Sequence, residues 1–436
     1  MLGAMTMCRF GTSASRLAAA TLAAALFAAS PAAATADATA EGGLDRQRLR
    51  QTLDAVHEAG MYGIHSNVVD GRRRWKGAAG IADVETRRPM RPEMVHRAGS
   101  VTKSFVAVAV LQQVGKGTIE LDAPVGRYLP DVIPGERGRR ITVRMLLNHT
   151  SHIANHIEVL FPTVGSLDAN RFRTFLPEEL ARAGLGAPAT GQPGATPGVY
   201  SNTNFVIAGL LLEKVTGMSA ERYITDHVFR KAGLRHTWFP RTPYLPGPSS
   251  KAYEALFGFF DPPKDYSVYN MSWGWTSAAA VSTMEDLNRF FRLLLRGELL
   301  DAALLAEMRK TVSIRSLSGA VIDYGLGIFP LDLPCGRFWG HDGSVPGMQT
   351  FAFSDADGGR RFAFGINLRN YQQLDENGSP VAHAIDFAIG DHLLEAACGP
   401  GTGAAAKAAR TDPVGMAEVI SVISATGTPR ADSSTD

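Results

Sequence analysis

The chain has 436 residues, 45% of them hydrophobic and 20% charged, with 44 Lys+Arg against 42 Asp+Glu. That composition excludes a disordered or collagen-like chain and supplies enough apolar material for one large domain or two small ones. The near balance of charge speaks against nucleic-acid or membrane-surface binding.

Arg9 and Arg16 lead into an apolar run from Leu17 to Ala29, followed by Ala32-Ala33-Ala34. Residues 1–34 therefore read as a secretory signal peptide cleaved near Ala34, with a retained anchor as the minor alternative. The run is too short to span a bilayer comfortably, so no stable membrane insertion is expected. Cys8 precedes the run, the wrong place for a lipid-modified cysteine after cleavage. Cleavage removes two arginines and no acid, which leaves the exported chain close to neutral.

Residues 41–59 carry apolar positions at helical spacing, among them Leu44, Leu49, Leu53 and Val56. From Gly60 to Asp83 the pattern turns strand-like. A helix is expected over 101–115, ended by Gly115 and Gly117. The middle, 120–315, reads as helix and loop. Short helices start at Thr142 and Ser219, Phe205 to Thr216 is ended by Gly217, and Ser282-Thr-Met-Glu-Asp caps a helix running to Leu295. A Pro/Gly/aromatic stretch, 238–275, reads as long ordered loops of the kind that carry function.

Strand patterns return at Gly325-Leu-Gly-Ile-Phe, Gln349-Thr-Phe-Ala-Phe-Ser and Arg361-Phe-Ala-Phe-Gly-Ile-Asn, with a hairpin turn at Asp355-Ala-Asp-Gly-Gly. A helix from Ala382 to Ala397 closes a single domain over 41–400, and 401–436 reads as a mobile tail. Early and late strands with helices between them point to one sheet built from both ends, with a helical lobe upon it. Cys335 and Cys398 form either a disulfide or two buried thiols, and export favours the disulfide. No Cys/His cluster has zinc spacing, so no metal is expected.

Three short motifs carry chemistry. Ser100-Val-Thr-Lys103 sits at a helix start, where residues three apart share a face. In a dry site the lysine loses its proton more readily and can take the serine's. Tyr200-Ser-Asn202 follows Pro197-Gly198. Its phenol can shuttle a proton if neighbouring ammonium charge lowers its pKa, and its amide can hold a substrate carbonyl. His341-Asp342-Gly343-Ser344 reads as an edge strand whose glycine permits close approach of a ligand to backbone. The Ser344 N–H and the Ser100 N–H are candidates for an oxyanion hole. Taken singly each motif has a bland reading: chance, a turn before a helix, a surface strand histidine.

Together, and in this order, they resemble the penicillin-recognising serine hydrolases of the class C β-lactamase-like group. That group includes DD-carboxypeptidases, D-amino-acid-specific peptidases and esterases. Arg97-Ala-Gly-Ser-Val-Thr-Lys-Ser-Phe, Ile141-Thr-Val-Arg-Met-Leu-Leu-Asn-His-Thr-Ser and Gly340-His-Asp-Gly-Ser-Val-Pro-Gly extend the likeness over about residues 44–400. The resemblance implies an α/β fold, an antiparallel sheet flanked by helices plus an all-helical lobe, with the site between them. Ser100 would be acylated, Lys103 and Tyr200 would handle protons, and Asn202 would bind the substrate amide. His341 stands where many members carry lysine. No metal or cofactor is implied, and a β-lactam would act as an acylating inhibitor. His149 reads as a structural hydrogen-bonding residue. Trp273 and Trp275 are candidates for the acyl-pocket wall, with core packing the alternative.

The likeness is closest to secreted DD-carboxypeptidases of the His-Thr-Gly type, which also place cysteines as at Cys335 and Cys398. Those enzymes grip the substrate carboxylate with an arginine shortly before that strand and with the threonine. Here Gly327 to Gly336 holds no arginine, and Asp342 replaces the threonine. A carboxylate there repels a free C-terminus unless Arg337 compensates or Asp342 points away. The expected function is therefore a secreted serine hydrolase of D-amino-acid-containing peptides, amides or esters. A DD-carboxypeptidase or transpeptidase and a carboxylesterase are the alternatives. A β-lactamase is disfavoured, for want of a separate feature for rapid deacylation. So are an inactive penicillin-binding sensor, given the retained motifs, and a macrocyclising peptide ligase.

Overall fold

A computed structural model describes residues 43–400; the expected signal peptide and tail lie outside the described residues. The first helix, α1 (Arg46–Glu58), starts at Asp45, whose side chain accepts the Arg48 N–H. Its Leu49, Leu53 and Val56 are fully buried. It leads into β1 (Gly63–Asp70), β2 (Arg73–Asp83) and a two-residue strand β3 (Arg88–Pro89).

The late strands are β4 (Phe329–Leu333), β5 (Gly336–Val345), β6 (Met348–Asp355) and β7 (Arg360–Ile366). They join the early ones in one seven-stranded sheet of order β4-β5-β6-β7-β1-β2-β3. The seam between the two ends of the chain is antiparallel, with Ile64 opposite Ile366. Phe351, Phe353, Phe362 and Phe364 turn to the face covered by α1 and by α5 (Ala384–Cys398). The alternating residues Ala352 and Ala363 turn to the other face, into the core of the helical lobe. The Cys335–Cys398 disulfide joins the β4–β5 turn to the end of α5 across 63 positions.

The helical lobe is built round α2 (Thr102–Gly115), which is buried on every side from Thr102 to Leu111. A helix apolar all round belongs inside a core rather than at a surface. Phe105 meets Phe229 and Phe290 edge to face, with ring centroids 5.0 and 4.5 Å apart. Removing its ring would cost about 3–5 kcal/mol. The lobe's other long helices are α3 (Asn202–Thr216), closed by Gly217 at φ +65°, and α4 (Met284–Leu295), whose Thr283 cap accepts the Asp286 N–H. Among the described residues no helix is long and apolar enough to cross a membrane.

Two strand readings change. Residues 325–328 form the turn before β4 rather than a strand. Gly327 sits at φ +74°, and a Cβ there would stand 2.6 Å from the Cβ of Ala107, so the turn lies against α2. The edge reading of the strand carrying His341 holds for His341 to Ser344 but not for the start of that strand. β4 pairs with β5 from Gly336 to Gly340, so β5 is interior from Phe338 to Gly340, where β6 pairs with it too. From His341 onward it pairs with β6 alone, because β4 has ended. The sheet thus acquires an edge where the site begins.

Candidate active site

Ser100 lies in a single tight turn, Gly99–Val101, that feeds directly into α2. Lys103 is fully buried one turn on, and its Nζ lies 3.0 Å from Ser100 Oγ. The same nitrogen is 2.7 Å from Asn202 Oδ1 and 2.9 Å from the Ser277 carbonyl. Burial holds the Lys103 amine well below the usual lysine range, and the Asp342 charge works against that shift. A neutral amine has two N–H groups and one lone pair. The two carbonyl-type acceptors take the N–H groups, which turns the lone pair toward Ser100 Oγ.

Asn202 is the first residue of α3 rather than part of an extended loop. Its Nδ2 donates to Asn155 Oδ1 at 3.2 Å, so its own oxygen is the atom that faces Lys103. Sequence reasoning missed Asn155, whose caps on short helices look alike across the chain.

Tyr200 is hydrogen-bonded to Ser100, but its phenol is pushed well above its ordinary range, first by burial and further by Asp342. This corrects the expected lowering by ammonium charge. The Lys103 nitrogen lies 4.8 Å from the ring centroid, and a neutral amine brings no such charge. Tyr200 rests as a proton donor. His149 stacks on it, centroids 4.2 Å apart, while its Nδ1 accepts from the Ser201 N–H and the Asn204 amide, both at 3.2 Å. Burial first, then Lys103 and His341, hold His149 well below the ordinary histidine range. It therefore positions Tyr200 as a neutral ring.

His341 is buried with both ring nitrogens engaged. Nδ1 lies 2.5 Å from the Asp342 carbonyl, to which it must donate, and Nε2 lies 2.8 Å from the Tyr324 hydroxyl. Tyr324 belongs to a strand, Val321–Tyr324, that sequence reasoning did not expect. Gly343 brings β5 onto the serine turn. A Cβ there would stand 1.9 Å from the Ala98 carbonyl oxygen and 2.9 Å from the Ser100 nitrogen. A Cβ on Gly99, at φ +55°, would stand 2.6 Å from the Ser344 nitrogen. The backbones of Ser100 and Ser344 thus meet at the mouth of the site.

A cavity of about 590 Å³ opens over Ser100, Tyr200, Asn202, His341, Asp342 and Ser344. Phe161, Leu167, Trp273 and Leu317 give it apolar walls. Trp275, expected in that wall, is not part of it. It packs in the helical core and its indole N–H donates to Glu221 Oε1 at 2.6 Å. Arg337 does not compensate Asp342 either: it is exposed and paired with both Asp332 oxygens at 2.7 Å.

The cation that does line the cavity is Arg369, buried and donating to the Val345 carbonyl at 3.3 Å. It faces Glu254 across a two-stranded parallel ladder. Glu254, also buried, accepts the Leu256 and Gly347 N–H groups, each at 3.0 Å. Arg369 had a faint signal in the sequence, a charge at the end of an apolar strand run, whereas Glu254 lies in the stretch read as loops.

A family model described as Beta-lactamase matches residues 46–384. Esterase EstB of Burkholderia gladioli is 32% identical over 209 residues, 45% of this chain and 53% of that one, so the matched stretch spans about half the length of the esterase. Putative penicillin-binding protein PbpX of Bacillus subtilis (strain 168) is 26% identical over 341 residues, 78% of this chain and 79% of that one. The crystal structure of a D-stereospecific amidohydrolase from Streptomyces sp. superposes with a TM-score of 0.70 at 33% identity, covering 82% of this chain and 100% of that one. The family match covers most of the chain and the amidohydrolase shares its fold, so the chain belongs to the beta-lactamase family of serine hydrolases.

Proposed function

We propose that this protein is an exported serine hydrolase that forms an acyl-enzyme on amides, peptides or esters of D-amino acids bearing a free amino group. Ser100 Oγ attacks the substrate carbonyl while the Lys103 amine takes its proton. The oxyanion meets the backbone N–H groups of Ser100 and Ser344. Tyr200 gives its proton to the departing amine or alcohol and regains one from the water that attacks next, while the Lys103 ammonium returns its proton to Ser100 Oγ as the acyl group leaves. Water then repeats the attack on the acyl-Ser100 ester. Asn202 and the Tyr324-braced His341 orient the substrate.

The observation that carries the substrate class is the charge lining the cavity: carboxylates at Asp342, Glu254 and Glu158 against the one arginine Arg369. That balance attracts an ammonium group and repels a free C-terminal carboxylate. The D preference is supported by the 33% identical D-stereospecific amidohydrolase. Export is supported by the leader-like first 34 residues and by the disulfide.

The test is a substrate panel with active-site labelling. Fluorescent penicillin is expected to label the wild type and not Ser100→Ala. D-Phe-amide is expected to turn over at least tenfold faster than its N-acetyl derivative, than L-Phe-amide and than a peptide ending in D-Ala-D-Ala. Full activity in Ser100→Ala would sink the mechanism. Preference for the free-carboxylate peptide would sink the substrate class and favour a carboxypeptidase.

A further inference from the structure

A second cavity, of about 960 Å³, shares no lining residue with the one over Ser100. It lies where α4 passes the β1–β2 and β6–β7 turns. Seven of its lining residues are arginines and three are carboxylates. Arg289 and Arg292 on α4 and Arg296 at its C-cap recur at i, i+3 and i+7, which puts them along one stripe. Arg361 from β7 and Arg72 from the β1–β2 turn line the same space.

The acids there are weakly placed to neutralise them. Asp286 Oδ2 accepts the His236 N–H at 2.7 Å and the Thr237 hydroxyl at 2.9 Å. Glu285 lies 3.8 Å from Arg74, and Arg292 lies 3.6 Å from Glu298 at the helix end, both loose pairs.

An independent observation comes from Arg361 itself. Its side chain is 6% exposed, and Nη1 donates to the carbonyls of Gly358 and Gly359 at 2.8 and 3.2 Å. Its buried Nε has no hydrogen-bond partner among the described residues. Burial first, then Arg292 and Arg74, pull this guanidinium down to about 10, with the Asp355 carboxylate working against that shift. An arginine this buried, lining an open cavity beside other arginines, is stabilised by an anion in that cavity.

The lining also defines the anion's class. Guanidinium forks arriving from a helix, a strand and a turn require acceptors in several directions, which tetrahedral phosphate groups offer and a single planar carboxylate does not. Spanning the α4 stripe takes more than one such group. Among the described residues no Phe, Tyr or Trp lines the cavity, so no large aromatic face is placed to stack a nucleic-acid base. We propose that this cavity is a binding site for a compact oligophosphate, held between the Arg289–Arg292–Arg296 stripe and Arg361.

Isothermal titration of the full chain with inorganic tripolyphosphate at low salt tests it. One ligand per chain is expected. Arg292→Gln/Arg296→Gln should weaken binding at least tenfold and leave ester turnover at Ser100 unchanged. Arg361→Gln should do the same; if it fails to fold, the less buried double variant decides. A charge-matched control, Arg127→Gln/Arg139→Gln, should bind as the wild type does. A parallel titration with adenosine triphosphate shows whether the site also takes an esterified phosphate chain. The proposal is overturned if neither ligand binds the wild type, if the double variant binds equally well, or if the control loses as much affinity.

Discussion

Lys103 Nζ donates to Asn202 Oδ1 at 2.7 Å, and this contact turns the lysine lone pair toward Ser100. Asn155 sets the Asn202 amide the right way round, and Ser277 takes the second N–H. A carbonyl oxygen accepts from a neutral amine without holding a proton on it, whereas a carboxylate would stabilise the ammonium.

The acidic limb of the pH–rate profile should therefore respond to charge on either side of Lys103. The amine is active when unprotonated, so activity rises with pH through its pKa. Asp342 favours the ammonium, so Asp342→Asn should move the limb to lower pH. Asn202→Asp should move it to higher pH, and kcat/KM on the limb should then fall about tenfold for each pH unit the limb has moved. Hydrolysis of an uncharged ester from pH 5 to 10 reads both. Limbs that do not move would remove Lys103 as the base.

Gly343→Ala should cost about 10²–10³ in kcat. The new methyl would sit 1.9 Å from the Ala98 carbonyl oxygen, which forces β5 off the serine turn and separates Ser344 from Ser100. Single-turnover acylation by a chromogenic β-lactam measures the loss. A variant that acylates at the wild-type rate would show that Ser344 takes no part.

Stability should fall on mild acidification. His65 and His156 are pushed down to about 4 and His392 to about 3, burial being the first cause in each. Below pH 6.5 the unfolded chain binds protons at these rings that the folded chain refuses until near pH 4. Their stabilisation is thus complete above pH 6.5 and is lost as the pH falls, by about 1.4 kcal/mol per ring per pH unit. Calorimetry from pH 7.5 to 4.5 should show a steep drop in Tm below 6.5; a flat Tm would show that these rings protonate in the folded state.

Cys398→Ser should lower stability by about 4 kcal/mol on the chain-entropy model, because the disulfide ties the β4–β5 turn to the end of α5. Ester turnover at 25 °C should persist, since the bond lies at the far end of β5 from His341. Denaturant unfolding with and without reductant checks the first point, and the same Cm in both would contradict it.

What the sequence determined by itself is what neighbours along the chain decide. Ser100 and Lys103 share a helical face because they are three apart. Gly217 and Thr283 mark helix ends because backbone conformation and capping act within one turn, and Asp355 to Gly359 reads as a hairpin for the same reason. The order of the three motifs was enough for the resemblance and the fold.

Tertiary structure alone decided whatever depends on burial and on charge through space. It held the Tyr200 phenol above its ordinary range where ammonium charge was expected to lower it, because solvent exclusion outweighs a lysine that is itself neutral. It placed Trp273 in the cavity wall and Trp275 in the core, though only one residue separates them. It set Arg369 against Glu254, 115 positions apart, and left Arg337 to Asp332. It gathered arginines from a helix, a strand and a turn into one cavity of a chain whose net charge is close to zero. Composition sums charges over the whole chain, whereas the field at a site depends on their distances.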